Sequence, residues 1–238
     1  MNTFGLIGKS LSHSFSEKYF NKKFYNEDIK NCEYKNFELN DISEIKDLIS
    51  QVNLSGLNVT IPYKKSVIPF LDELTPEAKA IGAVNTIEFK GNKLIGHNTD
   101  TIGFLQSIYP ILNGRKKALI LGNGGASKAI QNALKKLNIE YKIVSRNSSF
   151  DYLDISNQLI GYYKIIINTT PLGTYPDIAD YPQIPYKKLN ESHLLFDLIY
   201  NPVESQFLRF GKTRNCIIKN GLEMLEIQAE SSWNIWNS

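Results

Sequence analysis

The sequence predicts an α/β fold in two domains, on three observations. Short apolar runs alternate with amphipathic stretches along all 238 residues, the pattern of strands alternating with helices in parallel sheets. Residues 118–147, ALILGNGGASKAIQNALKKLNIEYKIVSRN, read as strand, glycine turn, helix and strand. The composition is that of a globular chain long enough for two cores, with 42% hydrophobic residues and 27 Lys and Arg against 24 Asp and Glu.

The elements follow in order. Residues 4–7 form a short apolar strand. Residues 14–25 are helical, with Phe15, Tyr19, Phe20 and Phe24 on one side. Residues 33–39 read as a strand. Ile42, Ile45, Leu48, Ile49 and Val52 predict a helix opened by Asp41 as N-cap, with Glu44 three residues later. Residues 57–59 are a strand, and Pro62 sits in the first turn of a helix expected to reach about Leu71. Residues 84–89 and 93–97 flank Lys90-Gly91-Asn92 as a hairpin. A helix over about 101–112 leads into the glycine unit. Beyond it, 164–168, 194–197 and 216–219 are strands, and 222–235 is a final helix. The boundary falls near Asp100, giving domains 1–100 and 101–220. The last helix, 221–238, is expected to return to the first domain.

Within the glycine unit, Ala126, Ala129, Ile130, Ala133, Leu134 and Leu137 keep helical spacing behind Gly122, Gly124 and Gly125. Such a turn places a dinucleotide pyrophosphate on free N–H groups at a helix N-terminus. A cofactor with a free ribose 2′-OH wants Asp or Glu about 20 residues further on. That place holds Ser145, Arg146 and Asn147, which suit a 2′-phosphate and therefore NADP over NAD. An ordinary crossover with a solvated loop arginine is the plainer alternative.

Four polar clusters lie at element ends in the first domain. In GKSLSHSFSE, Ser14 and Ser16 stand where a helix begins and can bind a carboxylate; Ser14 with Glu17 reads equally well as a capping box. In GLNVTIPYKK, Asn58 and Thr60 share one strand face, while Thr60 also reads as a helix cap. Lys64, placed in a helix's first turn, would oppose the macrodipole. In GAVNT and GHNTDTIG, Asn85 and Asp100 sit beside buried strands, with a satisfied strand-end amide and an N-cap as the plain readings.

Taken together, HSFS (13–16), GLNVTIPYK (56–64), GAVNT (82–86), GHNTDTIG (96–103), GNGGAS (122–127), NTTPLG (168–173), DLIYNP (197–202) and NGLEMLEIQA (220–229) resemble the shikimate dehydrogenases over nearly the whole chain. The resemblance implies an N-terminal substrate domain and a Rossmann-like NADP-binding domain with an active-site cleft between them. It implies NADP-dependent, reversible reduction of 3-dehydroshikimate to shikimate, on the route to chorismate and the aromatic amino acids. Lys64 and Asp100 would be the catalytic pair. Ser14 and Ser16 would take the substrate carboxylate with Tyr200 nearby, and Asn58, Thr60, Asn85, Asp100 and Gln228 the ring hydroxyls. Gly122, Asn123, Gly124, Gly125, Ala126, Ser145, Arg146 and Asn147 would hold NADP, with Thr169, Leu198 and Gly221 on the nicotinamide side.

The chain departs from the family pattern in three places. Glu17 replaces a frequent proline, Ser145-Arg146-Asn147 replaces Asn-Arg-Thr, and only about 17 residues separate Arg146 from Lys164. Two other functions stay open: a quinate/shikimate dehydrogenase with relaxed substrate or NAD use, and a non-catalytic NADP-binding relative. The small charge excess argues against nucleic acid, and no stretch approaches the roughly 18 apolar residues of a membrane span. No signal peptide is read at the start. Cys32, Cys216 and the three histidines show no metal spacing. The expected setting is cytoplasmic, as a monomer or homodimer acting on a small-molecule substrate.

Overall fold

The computed structural model describes residues 1–12, 14–146 and 148–238. The chain divides into two compact units, one of Met1–Asp100 with Gln228–Ser238 and one of Thr101–Ile227.

The first unit is built on a six-stranded sheet. Its elements are β1 (Asn2–Gly8), α1 (Phe15–Asn26), β2 (Cys32–Glu38), α2 (Ile45–Gln51), β3 (Leu54–Val59), β4 (Glu73–Leu74), α3 (Pro76–Ile81), β5 (Thr86–Lys90) and β6 (Lys93–His97). The strand order is β2-β1-β3-β5-β6-β4. Strands β1, β2 and β3 run parallel, whereas β5 is antiparallel to both β3 and β6. The sheet is therefore mixed rather than wholly parallel, because Gly91 at φ +60° turns β5 straight back into β6. One face of the sheet covers Ile7, Ile45, Leu57, Val59, Val67, Val84 and Ile87, all buried. A second, aromatic cluster joins Phe4, Phe20, Phe24 and Tyr34 to Trp233 and Trp236 near the chain's end.

One expected element is corrected. Residues 62–71 do not form an α-helix; they make successive turns ending in a 3₁₀ turn at Ile68–Phe70. The Val67 N–H reaches Tyr63 O in one helical span, but the bonds Tyr63 N–H to Thr60 O, Ile68 N–H to Lys65 O and Phe70 N–H to Val67 O span three residues rather than four. Pro69 has no N–H to give and its ring crowds the preceding turn, so the segment cannot propagate as α-helix. Lys64 therefore sits in a tight turn, and the macrodipole argument for it does not apply.

The second unit contains α4 (Asp100–Ile108, entered from the first unit), β7 (Lys117–Leu121), α5 (Gly125–Lys136), β8 (Glu140–Val144), α6 (Asn157–Tyr162), β9 (Ile165–Asn168), β10 (Leu194–Asp197), α7 (Gln206–Lys212), β11 (Ile217–Lys219) and the start of α8 (Leu222–Trp236). Helix α4 ends about four residues sooner than the sequence suggests. Pro110 follows, and the chain tightens into a 3₁₀ turn at Tyr109–Ile111. The sheet is entirely parallel, ordered β11-β10-β9-β7-β8. Its inner strands β9 and β10 are buried along their whole length, which is why 165–167 and 194–196 read as unbroken apolar runs. Helix α5 buries Ser127, Ala129, Ile130, Ala133 and Leu134 against one face.

The same unit contains a fully buried carboxylate, Asp197. Asn168 Nδ2 and the Ile199 N–H donate to its Oδ1 at 3.0 and 3.1 Å, and the Ser205 hydroxyl donates to Oδ2. Burial outweighs these donors and pushes the carboxyl up to about 6. Its folded value thus lies above the unfolded one near 4, so the folded state holds the proton more tightly. Stability from this group is greatest at the acid end and falls as pH rises from about 4 to about 6. Relative to Asp197→Asn, the wild type is expected to lose on the order of 3 kcal/mol across that range. Denaturant melts of both proteins at pH 4 and pH 7 check this; a gap that does not change with pH contradicts it.

Candidate active site

In the first unit the backbone places Lys64, Asn85 and Asp100 together. The Val84 N–H donates to Lys64 O at 2.7 Å, and the Asn85 N–H donates to His97 O at 3.1 Å. Asn85 O in turn accepts from the Val59 N–H at 2.9 Å. The turn after β3, the entry to β5 and the end of β6 are thereby stitched together. Lys64 Nζ lies 2.6 Å from Asp100 Oδ2, with the two side chains 16% and 8% exposed. A pair this enclosed keeps a directed charge interaction that solvent would otherwise screen.

The orientation of Asn85 follows from one backbone donor. The Thr99 N–H donates to Asn85 Oδ1 at 2.7 Å, so the NH₂ end must face the other way. That end donates to Asp100 Oδ1 at 2.9 Å, and also reaches Thr99 Oγ1 at 2.9 Å and Gln228 Oε1 at 3.3 Å. Asp100 therefore accepts on both oxygens, one from an amide and one from an ammonium. This arrangement suits an ionised carboxylate that fixes the direction of a lysine proton.

Asn58 lies in the same polar layer. It is buried on β3, and its Nδ2 reaches Asn85 O at 3.1 Å, Thr86 Oγ1 at 3.2 Å and Ser232 Oγ at 2.9 Å. Thr60, half-buried, donates its N–H to Ile7 O at 2.9 Å just beyond β3. Ser14 caps α1 by accepting from the Glu17 N–H at 3.4 Å, and Ser16 is buried in the first turn of α1. Glu17 takes the Asn36 amide at 2.8 Å, so the departure at this position carries a local tie between α1 and β2. His13 of the HSFS motif lies outside the described residues.

Gln228 reaches this layer because α8 packs on the sheet from that residue onward: Tyr19 donates to Glu230, and Trp236 Nε1 donates to Ile87 O at 3.0 Å. Four members of the layer escape local sequence reasoning: Tyr34, Thr86, Thr99 and Ser232. Ser232 follows Gln228 by four residues on one helix face, which is the signal that was available.

In the second unit the glycine turn, the β9 loop and the β10 loop meet at the C-terminal ends of parallel strands. The chain leaves β7 toward β8 on one side and returns to β9 on the other, the switch point at which open α/β sheets bind ligands. Gly122 adopts φ +108°, and a Cβ there would lie 2.7 Å from Thr169 Oγ1, so no other residue fits. Thr169 is tied to β7 by its N–H and its hydroxyl, both donating to Leu121 O, at 2.9 and 2.8 Å. A Cβ on Gly221 would lie 2.1 Å from Leu198 O, so the start of α8 is pressed on the β10 loop. Tyr200 is half-buried in that loop, and burial pushes its phenol up.

These residues fit a dinucleotide. The twelve-residue α5 starts at Gly125 with Gly124 as N-cap and no side chain capping it, so its first N–H groups face outward. A Cβ on Gly124 would meet nothing within 4 Å, and Asn123 beside it is exposed. Past β8, half-buried Ser145 precedes exposed Arg146. Arg146 lines a surface cavity of about 540 Å³ with Asp151, Tyr152 and Leu153. Asn147, the last member of the expected 2′-phosphate site, lies outside the described residues. The short connection after β8 holds only a 3₁₀ turn (Tyr152–Asp154) and the six-residue α6.

Comparison with known proteins shows the family. Residues 6–87 match the shikimate dehydrogenase substrate binding domain. A shikimate dehydrogenase (NADP(+)) of Clostridium beijerinckii is 39% identical, over 99% of this chain and 92% of that one. The chain belongs to the shikimate dehydrogenase family. A shikimate dehydrogenase crystal structure from Peptoclostridium difficile superposes with a TM-score of 0.89 at 39% identity, covering 100% of this chain and 92% of that one. The Thermus thermophilus shikimate 5-dehydrogenase in complex with NADP(H) and shikimate gives a TM-score of 0.86 at 27% identity, covering 99% and 93%. Among the described residues no group of His, Cys, Asp and Glu is arranged to hold a metal ion, and no helix is long and apolar enough to cross a membrane.

Proposed function

We propose that the chain is an NADP-dependent shikimate dehydrogenase, reducing 3-dehydroshikimate to shikimate reversibly in the pathway to chorismate. The observation that carries this reading is the enclosed Lys64–Asp100 pair with Asn85 locked beneath it. NADPH, when bound to the second unit, supplies the hydride that reduces the ring ketone. Negative charge then grows on the ketone oxygen, and Lys64 answers it with its own charge and a proton. Asp100 holds the ammonium and, through its second oxygen, stays tied to Asn85. In the oxidative direction Lys64 takes the hydroxyl proton, so alkaline pH favours oxidation.

The first unit is the substrate domain in this reading. Ser14 and Ser16 receive the carboxylate at the start of α1. Asn58, Thr60, Asn85, Asp100 and Gln228 receive the ring hydroxyls. The second unit is the NADP domain. Gly122 to Ala126 bear the pyrophosphate, Ser145, Arg146 and Asn147 the 2′-phosphate, and Thr169, Leu198 and Gly221 line the nicotinamide side. The free thiols Cys32 and Cys216 suit a reducing compartment, and we place the enzyme in the cytoplasm.

Absorbance at 340 nm with shikimate or quinate, each with NADP or NAD, tests the reading. The expected result is turnover with shikimate and NADP well above the other three pairs. Equal rates with quinate or NAD would replace it by a relaxed-specificity dehydrogenase, and no turnover by a folded chain would leave a binder. Arg146→Ala is expected to raise the KM for NADP by about 10-fold, the worth of one charge-assisted contact to phosphate, and to leave the KM for NAD nearly unchanged. Equal effects on both cofactors would remove Arg146 from 2′-phosphate recognition.

A further inference from the structure

The amide of Asn58 is gripped at both ends by groups outside the family motifs. Tyr34 on β2 stacks its ring on Phe20, with centroids 4.6 Å apart and planes 13° from parallel. Its hydroxyl donates to Asn58 Oδ1 at 2.8 Å. The direction of that bond is settled elsewhere on the amide, because Asn85 O can only accept and therefore draws Nδ2, which leaves Oδ1 facing Tyr34. The single Tyr34 proton is thereby left for Asn58. At the other end, Ser232 gives its proton to Gln228 O at 2.9 Å, so its oxygen accepts from Asn58 Nδ2, also at 2.9 Å. The second Nδ2 hydrogen goes to Asn85 O at 3.1 Å. Both hydrogens of the amide are spent, and one lone pair of Oδ1 is already filled. What remains is the other lone pair of Oδ1, which accepts one hydrogen and donates none.

We propose that Tyr34, together with Ser232, is a positioning residue that holds Asn58 as a pure acceptor for one ring hydroxyl of the substrate. Asn58 then favours a polyol at that ring position and disfavours a carbonyl or a deoxy carbon, which would leave the second lone pair of its buried oxygen unused. This rests on the reading of the chain as a shikimate dehydrogenase. Loss of the Tyr34 hydroxyl leaves nothing at that end to distinguish the two orientations of the amide. Loss of the Ser232 hydroxyl removes the nearest of the acceptors that keep the NH₂ group turned away, leaving Asn85 O and Thr86 Oγ1.

Tyr34→Phe retains the ring and its stacking and deletes one oxygen. We expect the KM for shikimate to rise about 3–10-fold, the size of one hydrogen bond, while the KM for NADP and kcat stay within about 3-fold. Ser232→Ala is expected to act in the same direction. In an Asn58→Ala background, Tyr34→Phe is expected to add less than about 2-fold, because its effect passes through the missing amide. An unchanged KM for shikimate in Tyr34→Phe overturns the proposal. So does an equal loss toward shikimate and NADP, or full additivity with Asn58→Ala. If Tyr34→Phe does not fold, Ser232→Ala decides by the same criteria. Wild-type protein assayed beside the variants separates the two levels: no shikimate turnover there refutes the functional reading itself, and this proposal with it.

Discussion

Lys64→Ala is expected to lower kcat for shikimate oxidation by about 10²–10⁴-fold, the range for a lost general acid or base, and to change the KM values much less. The expectation comes from geometry. Lys64 Nζ is the only proton-bearing partner of Asp100 Oδ2 among the described residues, at 2.6 Å, and its backbone is pinned by the Val84 N–H. Alanine keeps that backbone bond, which uses only the carbonyl of residue 64, so the turn survives and the loss is chemical. Lys64→Arg is nearly as slow in this account. It restores a cation, but a guanidinium does not give up its proton. Steady-state kinetics of both variants, with circular dichroism to show folded protein, decides the matter. A loss confined to KM would assign Lys64 to binding alone.

Asp100→Asn is expected to have the second largest effect, a fall in kcat of about 10²–10³-fold. The reason lies in how Asn85 is fixed. Its NH₂ end is turned toward residue 100 by the Thr99 N–H, at 2.7 Å on the far side of the amide. An asparagine at 100 must therefore offer its oxygen to Asn85. Its own NH₂ then faces the Lys64 ammonium, donor against donor, in a site only 16% exposed at the lysine. The new amide displaces the lysine instead of orienting it. Asp100→Asn is close to isosteric, so the thermal midpoint is expected to move far less than the rate. A kcat within about 3-fold of wild type would show that the carboxylate's charge and acceptor pattern do not matter.

The parts of the fold legible in the sequence are those written in local periodicity. Ala129, Ile130, Ala133 and Leu134 announce α5 because one helix face is buried against one sheet face. The buried parallel strands β9 and β10 announce themselves as unbroken apolar runs. The hairpin β5–β6 is legible from Lys90-Gly91-Asn92, where Gly91 takes the left-handed conformation the turn needs. The stretch after Pro62 misleads because Tyr63, Val67 and Phe70 keep helical spacing while Pro69 denies the segment a helical hydrogen bond. Strand β4, two residues long, is too short to carry any period.

The site shows the same division. Its motif residues stand at element ends and are visible as polar interruptions of apolar runs. Their supporting partners are not, because the pairing is long-range: Asn58 meets Ser232 across 174 positions, and Tyr34 across 24. Nothing local in β2 marks Tyr34 as more than one aromatic of a core cluster. Asp197 is a further case. A carboxylate at the end of an apolar strand reads as a strand terminus, and only the surrounding donors from Asn168, Ile199 and Ser205 explain why it is buried.

The most direct test of the account follows an isotope. Shikimate deuterated at the carbinol carbon that becomes the ketone is incubated with NADP and the full chain, and the reduced cofactor is isolated for mass spectrometry. Hydride transfer from that carbon predicts one deuterium per NADPH formed, with no exchange into solvent. Reduced cofactor free of deuterium, or no reduction by demonstrably folded protein, would contradict it.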